Sequence, residues 1–110
     1  MTGIPDAPVH LVAIARFTPL PEAYDRVLAA LERVTIATHA EPGCLLLALH
    51  ATDGGQLVQI GKWESLAHWR AHGDAPSVHA LNREIEGLLA VDREIVRLTP
   101  VPLGGELGLV

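Results

Sequence analysis

One hundred and ten residues make a single domain's worth of chain, and 49% hydrophobic against 19% charged residues is enough to bury a core, which excludes intrinsic disorder. Eight basic residues against thirteen acidic ones leave a net charge of −5 with histidine neutral, the wrong sign for a binder of nucleic acid or of an anionic membrane. The single cysteine, Cys44, excludes an intramolecular disulfide and a cysteine-based zinc ribbon, and no apolar run approaches the roughly 20 residues that span a bilayer.

The first six residues, Met1-Thr2-Gly3-Ile4-Pro5-Asp6, have neither the basic start nor the apolar stretch of a signal peptide, so a cytoplasmic protein is expected. Residues 1–8 carry Gly3, Pro5 and Pro8 and read as a flexible arm. From Val9 to Phe17, Val9, Leu11, Ala13, Ala15 and Phe17 alternate with His10, Val12, Ile14 and Arg16. Both sets are largely apolar, the pattern of a strand covered on two sides. Thr18-Pro19-Leu20-Pro21 breaks the strand, and Pro21-Glu22 suits the first turn of a helix by backbone preference and by charge. Tyr24, Val27, Leu28, Leu31, Val34 and Thr38 then recur at three- and four-residue spacing, predicting one amphipathic helix that ends near His39, before Pro42-Gly43.

From Cys44 to His50, Leu45, Leu47 and Leu49 alternate with Cys44, Leu46 and Ala48, again a strand apolar on both faces. Asp53-Gly54-Gly55 supplies a tight turn, and Gln56 to Trp63 returns antiparallel as a hairpin. Ser65 caps a short helix through His72, interrupted by Gly73-Asp74-Ala75. Pro76-Ser77 starts a second helical segment with Val78, Leu81, Ile85, Leu88 and Leu89 inward. Glu94 to Leu98 is the last strand, stopped by Pro100 and Pro102, and residues 102–110 form an apolar tail.

Strand, helix, strand, strand, helix, strand is the split βαβ order of ferredoxin-like α+β folds with a four-stranded antiparallel sheet. Two helices cover one face of such a sheet, whereas these strands are apolar on both. A second copy of the same sheet is the economical cover, so a homodimer is expected.

Three short motifs fall in order on this frame: Glu41-Pro42-Gly43-Cys44 between helix and strand, Trp63-Glu64-Ser65 at a strand-to-helix junction, and His72 nine residues after Trp63, followed by Pro76. With them the chain, over residues 9–101, resembles the antibiotic biosynthesis monooxygenase (ABM) domain superfamily. That resemblance implies a dimeric α/β barrel with one pocket per subunit between sheet and helices. Family members include oxygenases that act on quinols and anthrone-type polyketides without metal or organic cofactor, haem-degrading proteins, and isomerases of small hydroxy-ketones, so the fold leaves the reaction open.

The sequence has no G-x-G-x-x-G fingerprint, no P-loop and no nucleophile elbow. Oxygen chemistry without a cofactor requires the substrate to supply the electrons, which electron-rich phenols do once deprotonated. The protein's tasks are then deprotonation, stabilisation of the phenolate and exclusion of bulk water.

Gln59 and Trp63 share a strand face with Leu57 and Gly61, and Gly61 leaves room for a flat ligand. Spacing alone makes Trp63 core and Gln59 a solvent-facing residue; the resemblance instead puts both in the pocket, with Asn at the Gln59 position in relatives. Trp69 stands where some relatives carry a pocket tyrosine, and is either a pocket wall or helix-to-sheet packing. His72 is the candidate general base, imidazoles being suited to proton transfer near neutrality, against the plain alternative of a helix-end histidine.

Some relatives use an arginine on the last helix. Here alignment on Leu81, Ile85 and Leu88 puts Asn82 at that place, while Arg83, at about 100° per residue, points away from the apolar stripe. Tyr24 either reaches the cavity or fills core. Two rival readings use other histidines. His68 and His72, at i and i+4, could clamp a metal with Asp74 or His79 as third ligand. Trp69 and His79 reproduce the ten-residue spacing of haem-degrading relatives, although Ala15 stands where those relatives have asparagine before an arginine.

The expectation from sequence is a homodimeric, cofactor-independent monooxygenase that oxidises a quinol or polyphenolic aromatic with molecular oxygen. His72, Trp63, Gln59 and Asn82 act on the substrate, Trp69, Tyr24 and Gly61 bind it, and no metal is held. The alternatives are a haem-binding and haem-degrading monooxygenase, a non-catalytic barrel for a small ligand, or an isomerase of a small hydroxy-ketone.

Overall fold

A computed structural model describes residues 10–110; the proposed arm over residues 1–8, and Val9 at the start of the first strand, lie outside the described residues. The elements are β1 (Leu11–Phe17), α1 (Tyr24–Thr38), β2 (Cys44–Ala51), β3 (Leu57–Trp63), α2 (Leu66–Gly73), α3 (Pro76–Ile85) and β4 (Glu94–Leu98). Short 3-10 turns add Pro21–Ala23 ahead of α1 and Gly105–Gly108 in the exposed tail. The sheet order is β2-β3-β1-β4, every neighbouring pair antiparallel. This is the ferredoxin-like α+β arrangement expected from the order of elements.

Register decides which side chains meet the helices. Leu11, Ala13, Ala15 and Phe17 pair across from Trp63, Gly61, Gln59 and Leu57, so these eight share the helix-covered face. On β3 that alternation is strict, with Leu57, Gln59, Gly61 and Trp63 buried and the residues between them half-buried. β2 departs from simple alternation. Cys44 pairs with Trp63 but Leu46 with Lys62, so Leu45 bulges out of register and is exposed. After the bulge, Leu47 and Leu49 return to the helix-covered face opposite Gly61 and Gln59.

The expected starts of the second and third helices hold, whereas Pro21-Glu22 forms a 3-10 turn and α1 begins only at Tyr24. Ser65 caps α2 by accepting the His68 backbone N–H, and Pro76 stands in the first turn of α3. The expected end of the second segment needs correction. α3 stops at Ile85, because Glu86 is already extended and Gly87 takes a left-handed φ of +77°. Leu88 and Leu89 still pack on the core, but through a turn: the Leu20 N–H bonds the Leu88 carbonyl at 2.8 Å, and the Ala90 N–H bonds that of Thr18 at 2.7 Å.

Core closure falls mainly between α1, α3 and the Phe17 end of the sheet. Phe17, Val27, Leu31, Leu57, Leu81 and Ile85 are all buried there, and an Arg33–Glu84 ion pair ties α1 to α3 outside. The opposite face of the sheet has an apolar centre of Ile14, Val58, Ile60, Leu46, Ala48, Val96 and Leu98, with Leu46, Val96 and Leu98 exposed, and carries Lys62 toward one end and Arg16, His50 and Glu94 toward the other. Among the described residues, no helix is long and apolar enough to cross a membrane.

Candidate active site

Under α2 the two layers stand apart and leave a cavity of about 330 Å³, within the range of small-molecule sites. Its floor is the sheet: Ala13, Ala15, Gln59, Gly61 and Trp63, with Leu47 and Ile95 from the outer strands. Its sides are Trp69, Arg70, His72 and Gly73 from α2, Val78 and Leu81 from α3, Phe17, Val34, and Arg93 ahead of β4. The small floor residues make the space. At Gly61 a methyl group would stand 3.0 Å from the Trp63 indole nitrogen and 3.2 Å from Leu47.

Polar groups on this wall are individually anchored. Gln59, buried, donates from Nε2 to Thr35 Oγ1 at 3.0 Å, and that hydroxyl donates to the Leu31 carbonyl at 2.7 Å. The amide oxygen of Gln59 has no partner among the described residues and is left as an acceptor on a cavity-lining side chain. His72 packs its ring against Trp63, centroids 4.8 Å apart, and its Nδ1 lies 2.9 Å from Glu41 Oε1. With Glu41 ionised, Nδ1 is the protonated nitrogen and Nε2 carries the lone pair. Ser77 Oγ donates to the other carboxylate oxygen of Glu41 at 3.4 Å, completing a link from turn to α2 and α3.

The turn that delivers Glu41 is fixed by backbone geometry. The Glu41 N–H bonds the Thr38 carbonyl at 2.9 Å, and Gly43, with φ +78°, lies directly beneath α2. Any Cβ at Gly43 would run into the His68 ring. In sequence, Glu41-Pro42-Gly43 has only a backbone reason; the structure adds a carboxylate aimed at the candidate base. Nothing in the sequence set Glu41 apart from a helix-ending turn; its half-burial against His72 shows only in the fold.

Of the site residues expected from sequence, Trp63, Gln59, Gly61, Trp69 and His72 line this one cavity. Two do not, and their placement is corrected. Tyr24 packs against the closed core near the start of α1, away from the cavity lining. Asn82 is exposed and borders a separate surface cleft, because α3 turns its Leu81 side, not its Asn82 side, toward the sheet. Asn82 nevertheless touches the site indirectly: its Oδ1 accepts from Arg93 Nη2 at 2.7 Å. A guanidinium therefore does reach the cavity, from a position the alignment on α3 passed over. It lies over the Phe17 ring, 5.1 Å from its centre, and burial pushes the Arg93 pKa below the usual guanidinium range.

The rival histidine readings separate in space. His68 Nδ1 is 2.7 Å from Ser65 Oγ and His72 is engaged by Glu41; among the described residues, no group of three His, Cys, Asp or Glu side chains is placed to hold a metal ion. His79 is exposed and borders the same outer cleft as Asn82, whereas Trp69 lines the inner cavity. The pair does not fit a haem bound between them. Cys44 is half-buried, and burial pushes its thiol up, away from thiolate chemistry.

The family model described as antibiotic biosynthesis monooxygenase matches residues 10–84. A Mycobacterium tuberculosis protein named "Putative monooxygenase Rv0793" is 29% identical over 92 residues, covering 83% of this chain and 91% of that protein. The solved structure of Rv0793 superposes with a TM-score of 0.81 at 28% identity, covering 87% of this chain and 99% of that one. PA3566 from Pseudomonas aeruginosa gives a TM-score of 0.80 at 25% identity over 86% of this chain and 96% of its own.

Proposed function

The chain belongs to the antibiotic biosynthesis monooxygenase family, and from that premise we propose that it is a cofactor-independent monooxygenase acting on a quinol or anthrone-like polyphenol. The observation that carries this reading is a largely apolar cavity, bordered by two indoles, into which one carboxylate-anchored imidazole is set. Trp63 and Trp69 offer flat apolar walls for a ring. His72 Nε2 removes a phenolic proton, and the Glu41 carboxylate stabilises the imidazolium that results.

The electron-rich phenolate passes one electron to dioxygen, giving superoxide and an aryloxyl radical, which recombine to form a carbon–oxygen bond. For an anthrone-type methylene, breakdown of that peroxide leaves a carbonyl. One oxygen atom stays on carbon and the other departs as water with the two hydrogens lost from the methylene. His72 returns its proton to the leaving oxygen. The mainly apolar lining surrounds the ring on which the radical pair forms.

The test is oxygen uptake by purified, metal-free protein across a panel of hydroquinones and anthrones. Stoichiometric consumption with quinone formation supports the reading. Tight binding of such ligands without oxygen uptake replaces it by a non-catalytic ligand-binding barrel.

The proposal includes a second copy of the chain on the apolar outer face of the sheet. The exposed Leu46, Val96 and Leu98 at the apolar centre of that face support it. A sedimentation mass of one chain at micromolar concentration overturns this part.

A further inference from the structure

The cavity has a charge imbalance that the reaction above does not use. Arg70 and Arg93 line it, and the Arg97 guanidinium lies 5.5 Å from the centre of the Trp69 ring. In a chain with eight basic residues against thirteen acidic ones, two of the eight line this cavity, and Arg97, which borders a neighbouring surface cleft, stands over one of its walls. Among the described residues, none of the three forms an ion pair, whereas Arg33 on the outside pairs with Glu84. Asp92 and Glu94 flank Arg93 in sequence, yet both are exposed and unpaired with it. Glu41 is already held by His72 and Ser77.

Arg93 is the innermost of the three. Asn82 fixes its direction through a neutral acceptor, which orients the fork without cancelling its charge, and Phe17 supports its flat face. A half-buried guanidinium without a counter-ion is costly to maintain, and an entering anion relieves that cost.

We propose that the ligand class of this cavity is an aromatic carboxylate, its ring against Trp63 and Trp69 and its carboxylate on Arg93, with Arg70 beside it. This rests on the aromatic-binding half of the function above and not on its oxygen chemistry. It separates two tasks: Arg93 holds a permanent negative charge, and His72 handles the phenolic proton.

Isothermal titration with 2-naphthoate and its neutral methyl ester, neither of which carries an oxidisable phenol, reads the two tasks apart. Wild-type protein binds the carboxylate at least about tenfold more tightly than the ester, the scale of a charge-assisted hydrogen bond. Arg93→Gln removes that preference and leaves ester binding in place, while Arg93→Lys keeps part of it. A circular-dichroism melt of each variant identifies any that fails to fold, in which case Asn82→Ala, which frees the guanidinium without removing it, is expected to narrow the preference. Equal affinity for the two probes in the wild type overturns the proposal, as does a preference that persists in Arg93→Gln, or binding of neither probe. Failure of the oxygen-uptake assay with the carboxylate preference intact sinks the monooxygenase reading alone.

Discussion

The space between sheet and helices is filled at one end and hollow at the other. Under α1 and α3, Phe17, Val27, Leu31, Leu57 and Ile85 close on one another, and α1 alone buries six residues. Under α2, which buries none, the same sheet face offers Ala13, Ala15 and Gly61, side chains too small to reach across. Phe17, Val34 and Leu81 belong to both ends and form the wall between them. One two-layer architecture therefore yields core or cavity according to side-chain volume at a few sheet positions, and His72, Gln59 and Arg93 border the end where volume is missing.

This contrast can be broken or sharpened by substitution. The largest effect belongs to the filled end: Leu31→Ala, at a fully buried position, is expected to lower unfolding stability by about 3 kcal/mol in chemical denaturation. A loss below about 1 kcal/mol, the cost of a tolerated swap, would mean this end is not tightly packed. At the hollow end, His72→Ala is expected to cost roughly 100-fold in turnover and to flatten the pH–rate profile, with a smaller stability loss of about 1 kcal/mol from the lost Trp63 contact and the unpartnered Glu41. Glu41→Gln keeps the shape and removes the charge, so a turnover loss of roughly tenfold is expected. Added to the His72→Ala variant, the same change should cost nothing more, because Glu41 acts through the imidazole; an additive loss would give it a separate role. The smallest effect is expected from Gly61→Ala, which presses on Trp63 and Leu47: stability within about 1 kcal/mol of wild type, with weaker binding of planar aromatics in titration calorimetry.

The filled end was also the more legible one. Three- and four-residue spacing from Val27 to Val34 and strict alternation from Leu57 to Trp63 are local signals, and local signals determine which face is buried. The β2 bulge escaped because Leu45 fits an alternating pattern as well as Leu46 does, and only pairing with β3 reveals the slip. Helical spacing carried the end of α3 too far, since Leu88 and Leu89 satisfy it while Gly87 breaks it. At the hollow end, strand alternation put Trp63, Gln59 and Gly61 on one face, but it was the family resemblance, not spacing, that placed Trp63 and Gln59 in a pocket. Glu41 and Arg93 were not, because their meaning lies in partners 31 and 11 residues away along the chain. Asn82 was placed by its helix and proved to matter only through the arginine that it orients.

Gly43 shows how far from the reacting atoms the geometry is determined. The missing side chain there acts as a shim: it sets how deeply the helix bearing Trp69 and His72 settles onto the hairpin. A bulkier residue there would collide with His68, so either the turn that carries Glu41 or the helix that carries His72 would have to move. The bore of the cleft and the aim of its base thus both depend on one position outside the cavity lining.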